Sequence, residues 1–254
     1  MSRPEAVERL RSWLGASVLV LSPHCDDAPY SIAGVMRALA SAGVAVRMLT
    51  LFGRSAYAPN RPELSADAVT ALRHLEDEAA ATAIHPAIRV DWWHYADVAL
   101  RRGLAVEQVI SKRPLDPEAV VCAEALTEAV AEARAGDQSV LAPIGMGWHI
   151  DHRIVAEIGA RLARRGIVVH FYEDLPYAGF TRSSRLWLAQ ARRLRVVGLP
   201  LRAADVVSPG LAELKRRVFE LYASQASDGF WRALARQTAR RDGAERLWLG
   251  ARKD

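Results

Sequence analysis

Short apolar runs that favour β-strands alternate with longer segments of helical spacing between Val18 and Tyr172. Strands joined by helices of this length form a parallel sheet that is covered on both faces. The sequence therefore predicts an α/β fold with a Rossmann-like, mostly parallel sheet and helices on both faces. The predicted strands are Val18–Ser22, Val44–Phe52, Ile88–Trp93, Ser139–Pro143 and Ile167–Tyr172, and the predicted helices between them are Ser31–Ala42, Ser65–Ile84, Asp116–Ala135 and Asp151–Arg165.

Helix-start signals support two of these boundaries. Ser65 or Asp67 is the predicted N-cap of one helix, and Asp116 is the predicted N-cap of another, with Pro117 at its first helical position. Later in the chain, helical spacing returns without a linker rich in Gly, Pro or Ser. We therefore predict a single domain over residues 1–254, in which residues 179–254 form a packed C-terminal extension.

Composition excludes several classes of protein. The net charge is +5, but all but three of the 34 basic residues are arginines, and they cluster on predicted helix faces. Because no zinc-finger spacing, RNP-type sequence or basic tail accompanies them, we predict no nucleic-acid partner. Two cysteines, Cys25 and Cys122, cannot form a disulfide framework. No apolar run reaches the roughly 18 residues of a membrane span, and the first residues lack the apolar core of a signal peptide, so we expect a cytoplasmic protein.

Two clusters of ionisable residues follow predicted strands. His24, Asp26 and Asp27 come just after the first strand, and His149 and His152 come just after a later one. Ligands bind at the carboxyl ends of parallel strands, and adjacent carboxylates repel unless a cation joins them. Imidazole and carboxylate are zinc ligands, and a catalytic zinc needs about three from the protein. Metal ligation by His24, Asp27 and His152 would leave Asp26 and His149 for acid–base chemistry.

Each cluster alone has an ordinary structural explanation. An Asp pair after a strand often caps the next helix, and two histidines three positions apart often occur by chance. Two such clusters at ligand-binding strand ends in one chain favour a metal site. Serine hydrolysis is disfavoured because the chain has no G-x-S-x-G sequence around Ser22. A dinucleotide site is disfavoured because no G-x-G-x-x-G sequence follows the first strand.

Ser22–Asp27 and His149–His152 resemble two motifs of the PIG-L (LmbE-like) deacetylases, zinc enzymes that remove N-acetyl groups from amino sugars. Three further segments resemble parts of that family in the same order along the chain: Arg73–Asp77, Tyr172–Ala178 and Leu214–Gln225. The similarity extends from about Val18 to Gln225, which is most of the chain.

The resemblance implies a role for each matching position. His24, Asp27 and His152 match the ligands of one Zn²⁺ per chain, Asp26 matches the general base, and His149 matches the histidine that stabilises the oxyanion or protonates the leaving amine. It also places three side chains near the substrate, and Trp148 is a further candidate for the pocket wall because it adjoins His149. The predicted substrate-binding residues are thus Arg73, Asp97, Arg102 and Trp148.

The chain departs from the family pattern at three places. Cys25 replaces the usual Pro after the first histidine, where its thiolate could compete as a ligand, and Ala28 replaces the usual Glu after the second Asp. The loss of that acidic side chain removes a group that could orient the ligands. Some members carry a Tyr shortly before the second motif that polarises the carbonyl, but here that stretch is Gly145-Met146-Gly147-Trp148.

We expect a zinc-dependent hydrolase that removes an N-acetyl or N-acyl group from the amino sugar of a glycoside, glycolipid or glycosylated secondary metabolite. Two alternatives stay open: an amidase of the same scaffold that acts on an amino-sugar thiol conjugate, and a catalytically degenerate sugar- or anion-binding module. Iron or cobalt could occupy the same ligand set. Apolar helix faces can pack in the core or at a subunit interface, so the sequence leaves open whether the protein forms a homo-oligomer.

Overall fold

A computed structural model describes residues 3–180, 199 and 201–250 of the chain. Its sheet has seven strands: β1 (Ser17–Ser22), β2 (Ala45–Thr50), β3 (Arg89–Trp92), β4 (Ser139–Pro143), β5 (Val169–Tyr172), β6 (Arg202–Val207) and β7 (Ala244–Leu249). The strand order is β3-β2-β1-β4-β5-β7-β6. The first five strands are mutually parallel, β7 runs antiparallel to β5, and β6 runs antiparallel to β7. The predicted α/β class with a mostly parallel sheet is confirmed.

The helices of the described residues are α1 (Arg3–Leu14), α2 (Asp27–Ser41), α3 (Ala66–Ile84), α4 (Val98–Arg102), α5 (Pro117–Ala133), α6 (Ile150–Arg164), α7 (Tyr177–Phe180), α8 (Leu211–Leu221) and α9 (Asp228–Arg240). Short 3₁₀ helices span Val106–Val109 and Met146–Trp148. None of the helices in the described part of the chain is both long enough and apolar enough to span a membrane.

Strand order reverses between β1 and β4, because β2 and β3 extend the sheet one way and β5 extends it the other way. Right-handed crossovers then place α2 and α3 on one face and α6 on the opposite face. The central strands are covered on both sides, so Val18–Leu21 of β1 and Val140–Ala142 of β4 are completely buried. A crevice outside the carboxyl ends of β1 and β4 is the ligand site that this topology favours.

Predicted helix starts agree with the structure at two positions. The Ser65 hydroxyl accepts a hydrogen bond from the Ala68 N–H at 3.3 Å, and the Asp116 carboxylate accepts one from the Ala119 N–H at 2.9 Å. Helix α2 begins at Asp27, earlier than the predicted Ser31, since the loop after β1 turns directly into the helix. That early start places Asp27 in the first helical turn, close to the carboxyl end of β1.

The C-terminal segment contains two strands that the sequence analysis did not predict. Strand β7 pairs with β5 from His170↔Leu249 to Tyr172↔Leu247, and β6 pairs with β7 at the edge of the sheet. The helical spacing noted in this part of the sequence corresponds to α8 and α9. Residues 202–249 therefore contribute to the sheet itself as well as packing against it.

Candidate metal centre and active site

The loop between β1 and α2 is held in a tight turn by Ser22. The Ser22 hydroxyl donates to the His24 carbonyl at 2.7 Å and accepts from the Ala28 N–H at 3.1 Å. The Asp27 carboxylate accepts from the His24 N–H at 2.9 Å. These bonds fold the loop back on itself, so that His24 and Asp27 face the crevice beside β4.

Two imidazoles converge on the Asp27 carboxylate. Its Oδ2 atom lies 3.0 Å from Nδ1 of His24 and 3.2 Å from Nε2 of His152. His24 comes from the loop after β1, and His152 from the first turn of α6, which follows β4. All three residues are at least nine-tenths buried. The structure thus brings together the three predicted metal ligands, from segments more than a hundred positions apart.

The remaining nitrogens of these imidazoles contact two further carboxylates. His24 Nε2 lies 3.0 Å from Asp151, which also accepts from the Val98 N–H at 2.8 Å. His152 Nδ1 lies 2.6 Å from Asp174, which also accepts from the Met146 N–H at 2.9 Å. Carboxylate partners of this kind fix the orientation and tautomer of metal-binding histidines. Asp151 and Asp174 both lie in segments that resemble the family, but the sequence alone assigned them no role.

The donor set fits a divalent metal ion. His152 Nε2 is buried and makes no hydrogen bond in the described part of the chain, although it faces Asp27. Ligand atoms of His24, His149 and His152 all lie within 4.8 Å of one another. A cation among these atoms would satisfy the free nitrogen and offset the buried Asp27 charge. A metal site is therefore indicated by the residues themselves.

The ionisable groups of this cluster shift one another's pKa values. Burial alone would lower the pKa of His24, but the hydrogen bonds to Asp151 and Asp27 raise it to about 9. Burial likewise opposes protonation of His152, whereas the Asp27 charge and the Asp174 hydrogen bond raise its pKa to about 10. The same pairs hold the pKa of Asp27 below its usual range against the effect of burial. Metal and protons compete for the inner nitrogens, because a ligating imidazole must be neutral.

Asp26 adopts a backbone conformation that is unusual for a residue other than glycine. Its φ is 103°, and its side chain is buried at the cavity. The Asp26 N–H donates to Asp77 at 3.3 Å, and the Arg73 guanidinium lies 3.9 Å from an Asp26 carboxylate oxygen. Burial and the nearby Asp27 charge raise the pKa of Asp26 well above its usual range. A carboxyl group in this setting is suited to accept a proton and return it.

Asp77 anchors the strained Asp26 loop with four hydrogen bonds. One carboxylate oxygen accepts from the Asp26 N–H and from the Tyr222 hydroxyl at 2.6 Å. The other accepts from the Thr50 hydroxyl at 3.1 Å and from the Trp92 indole N–H at 3.0 Å. This buried junction links α3, two strands and the residue after α8 to the loop that carries Asp26.

Replacing Asp77 by asparagine is expected to lower the free energy of unfolding by about 1–3 kcal/mol, the usual cost of leaving buried polar groups unpaired. The new amide group would face N–H or O–H donors, and the N–H donors of Asp26 and Trp92 cannot accept a hydrogen bond. Denaturant unfolding would measure the change. Glu78→Gln, at an exposed position next along α3, is the matched control and should leave stability unchanged. Equal stability of both variants would contradict the anchoring role.

His149 is the N-cap of α6. Its Nδ1 accepts a hydrogen bond from the Asp151 N–H at 3.2 Å, so a neutral imidazole carries its proton on Nε2. Burial, together with the charges of His24 and His152, lowers the pKa of His149 well below its usual range. The ring lies 4.9 Å from the His24 ring, centroid to centroid. His149 is therefore placed to donate a hydrogen bond beside the candidate metal ligands.

A cavity of about 270 Å³ opens onto these residues. Two of the four predicted substrate-binding residues, Arg73 and Asp97, are in its lining, together with His24, Asp26, Asp27 and His149. Arg73 donates to the Cys25 carbonyl and the Ser55 hydroxyl, both at 2.8 Å. Asp97 is the N-cap of α4 and accepts from the Leu100 N–H at 2.8 Å. The cavity also has apolar walls that the sequence analysis did not identify, among them Val109, Ile110 and Phe230.

Arg102 and Trp148 lie outside this lining. The Arg102 guanidinium is engaged by Asp116 at 2.8 and 2.9 Å and by Glu118 at 3.1 Å. Trp148 is half-buried in the turn before α6, where its φ is 68° and its carbonyl accepts from the Ser111 N–H. These contacts do not support the predicted substrate-binding role of either side chain: Arg102 is held by acidic residues at the start of α5, and Trp148 lies in the turn before α6.

Replacing Arg102 by alanine is expected to leave kcat/KM unchanged, because its partners Asp116 and Glu118 are half-exposed or more and none of the three residues is in the cavity lining. Loss of such solvent-exposed pairs costs at most about 1 kcal/mol of stability. Steady-state rates and denaturant unfolding would check both expectations. A selective rise in KM would instead show that Arg102 reaches the substrate.

Neither departure at Cys25 or Ala28 disturbs the cluster. Cys25 is buried, and burial raises the pKa of its thiol well above the usual value, with a further contribution from Asp77. A thiol of this kind stays protonated and is a poor ligand. Ala28 is completely buried in the first turn of α2, where its N–H donates to Ser22.

The fold and the site together define this protein as an α/β protein with a candidate metal centre at the switch point of a mostly parallel sheet and a buried carboxyl group beside it. The chain belongs to the PIG-L family: the family model described as GlcNAc-PI de-N-acetylase matches residues 19–163, which is more than half of its length.

Known proteins of similar sequence and fold include deacetylases. The 2′-N-acetylparomamine deacetylase of Streptomyces fradiae is 34% identical over 249 residues, covering 96% of this chain and 84% of that protein. The zinc-inhibited form of teicoplanin deacetylase Orf2 has a similar structure, with a TM-score of 0.68, 20% identity, and coverage of 94% of this chain and 99% of that one.

The same fold also serves another reaction. GalB, the 4-carboxy-2-hydroxymuconate hydratase of Pseudomonas putida, matches with a TM-score of 0.56 and 14% identity, covering 94% of this chain and 97% of that one. A shared fold therefore does not determine the reaction, which has to be argued from the residues of the site.

Proposed function

We propose that this chain is a zinc-dependent N-deacetylase that acts on an N-acetylated amino sugar of a glycosylated secondary metabolite and binds one Zn²⁺. The observation that carries the proposal is the convergence of His24 Nδ1 and His152 Nε2 on the Asp27 carboxylate, with Asp26 beside them. Membership of a de-N-acetylase family and 34% identity to a deacetylase of an acetylated amino-sugar metabolite support the reaction and the substrate class.

In this proposal His24, Asp27 and His152 hold the zinc. Their outer partners Asp151 and Asp174 keep the ligating nitrogens directed inward. Zinc, when bound, supplies a Lewis acid that polarises the amide carbonyl and makes water more acidic.

Asp26 moves the protons of the reaction. Its carboxylate accepts a proton from water as the water oxygen bonds to the amide carbonyl carbon. When the C–N bond breaks, the same group returns the proton to the departing nitrogen. The products are acetate and the free amino sugar, so water supplies all the atoms that the reaction adds. The Arg73 guanidinium, 3.9 Å away, helps to hold the Asp26 carboxylate in place.

His149 stabilises the negative charge that develops on the carbonyl oxygen. Because Nδ1 accepts from the Asp151 N–H, the donor that remains for the substrate is Nε2–H. Donors fixed in advance at the position of developing charge lower the barrier most effectively in a buried site. Because the neutral His149 imidazole only donates a hydrogen bond, Asp26 is the group that delivers the proton to the departing nitrogen.

The test combines metal analysis with acetate release. Purified protein would be assayed for zinc and for acetate release from 2′-N-acetylparomamine and from N-acetylglucosamine glycosides, before chelation, after chelation and after zinc is restored. We expect about one zinc per chain, as a three-ligand site implies, and acetate release that is lost on chelation and regained with zinc. Metal binding without acetate release from any of these compounds would contradict the deacetylase proposal, and failure to bind any divalent metal would contradict the site.

A further inference from the structure

The aromatic ring of Tyr177 lies against the metal-binding histidines. It meets the His152 ring edge to face, with centroids 5.0 Å apart and planes at 84°, and its centroid is 6.3 Å from that of His149. Tyr177 lies at the start of α7, shortly after Asp174, the carboxylate that orients His152. It also lines the cavity that contains Asp26 and Asp27.

Gly147 provides the space that this ring occupies. A Cβ atom at position 147 would collide with the Cβ, Cγ and Cδ1 atoms of Tyr177. Gly147 also has a φ of 82°, which disfavours any other residue there. The ring is therefore fixed between the turn before α6 and the His152 imidazole, and its hydroxyl has little freedom to move away from the cavity.

The Tyr177 hydroxyl is available for a ligand. Within the described residues it has no hydrogen-bond partner, and it is not among the atoms sealed away from solvent. Two buried tyrosines use their hydroxyls for the fold: Tyr172 donates to the Leu21 carbonyl at 2.8 Å, and Tyr222 donates to Asp77. The Tyr30 hydroxyl makes no hydrogen bond within the described residues, but it is sealed inside the core. Tyr177 differs from all three because it lines the cavity and its hydroxyl makes no hydrogen bond within the described residues.

We propose that Tyr177 is a catalytic residue whose hydroxyl donates a hydrogen bond to the acyl oxygen as the carbonyl carbon is attacked. The inference rests on the proposed deacetylase function. His149 Nε2–H would approach the oxygen from one side and the Tyr177 hydroxyl from another, which gives the oxygen two donors fixed in advance. The hydroxyl keeps its proton throughout, so no bond to Tyr177 forms or breaks.

A second phenol in the cavity is less well placed for this role. Tyr57 also lines the cavity, but its carbonyl accepts from Arg73 at 3.5 Å and it lies on the Arg73 side. None of the ring contacts of the described residues joins Tyr57 to His149 or His152, whereas Tyr177 contacts both. The geometry therefore favours Tyr177 over Tyr57 as the hydrogen-bond donor to the acyl oxygen.

The direct test is Tyr177→Phe, which keeps the ring that packs on Gly147 and removes only the hydroxyl. We expect kcat for acetate release to fall about 100-fold, as on removal of one oxyanion donor, with KM, zinc content and melting temperature nearly unchanged. A fall in kcat with an unchanged KM is the signature of an interaction made only in the transition state. Tyr95→Phe, at a half-exposed position outside the cavity lining, is the control for loss of a phenol and should match the wild type.

A second variant separates chemistry from packing. Incorporation of 3-fluorotyrosine at position 177 keeps the hydroxyl and nearly the same ring, and makes the hydroxyl a stronger donor. We expect this protein to have a higher kcat than the wild type at a pH where the hydroxyl is protonated, whereas a purely structural role of Tyr177 predicts an unchanged kcat. If Tyr177→Phe has the kcat of an active wild-type enzyme, or loses activity only through KM, this inference is wrong while the deacetylase proposal stands. If the wild-type chain releases no acetate, both are wrong.

Discussion

Asp26→Asn is expected to retain its zinc and to lose about 10³-fold in kcat for acetate release. The loss lies within the range of about 10²–10⁴ for removal of a general acid–base group. Asn has nearly the shape of Asp but cannot take a proton from water or return one to the amine. It also tolerates positive φ better than most residues, so the backbone at φ 103° should survive the change.

Three measurements on Asp26→Asn would be made together: kcat, zinc content and thermal unfolding. Asp67→Asn, at a fully exposed position on α3, is the matched control and should leave all three unchanged. Substantial turnover by Asp26→Asn would contradict its role as the general base. Loss of zinc in this variant would show that Asp26 is itself a ligand and would require a different base.

The central part of the fold was predictable because its signals are local. Buried parallel strands such as β1 and β4 appear as short apolar runs, and N-caps such as Ser65 and Asp116 act within their own first turn. Strands β6 and β7 follow a different rule. They exist because β7 pairs with β5, more than seventy positions earlier in the chain, and no local pattern specifies that pairing.

The same contrast between local signals and long-range contacts applies to the candidate site. The motif residues His24, Asp27 and His152 could be chosen from sequence because strand ends that adjoin in a sheet bring their loops together. The partners that orient them could not, since the contact between His24 and Asp151 spans 127 positions and depends on how α6 begins. For the same reason, the fact that Trp148 adjoins His149 in the sequence does not determine where the Trp148 side chain lies.

Two ligand sets remain geometrically distinct, and a pair of variants decides between them. His24 and His152 are common to both, while the third ligand is either Asp27, on which both imidazoles converge, or His149, whose ligand atom lies within 4.8 Å of theirs. We expect Asp27 to be the ligand. Its carboxylate is within 3.2 Å of both inner nitrogens, and His149 Nε2 is then free to act on the substrate.

Asp27→Asn is accordingly expected to lose nearly all of its zinc and, with it, at least about 10³-fold in activity, because metal catalysis contributes several kcal/mol. His149→Asn should keep about one zinc per chain and lose about 100-fold in kcat, as expected for one oxyanion donor. Asparagine suits both positions: at 27 it keeps the size of the side chain, and at 149 it is a favourable N-cap for α6. Elemental analysis and kcat on both proteins, with thermal unfolding in excess zinc to confirm folding, would give the answer. The reverse pattern, with zinc lost from His149→Asn and kept by Asp27→Asn, would make His149 the ligand and remove it from the role of oxyanion donor.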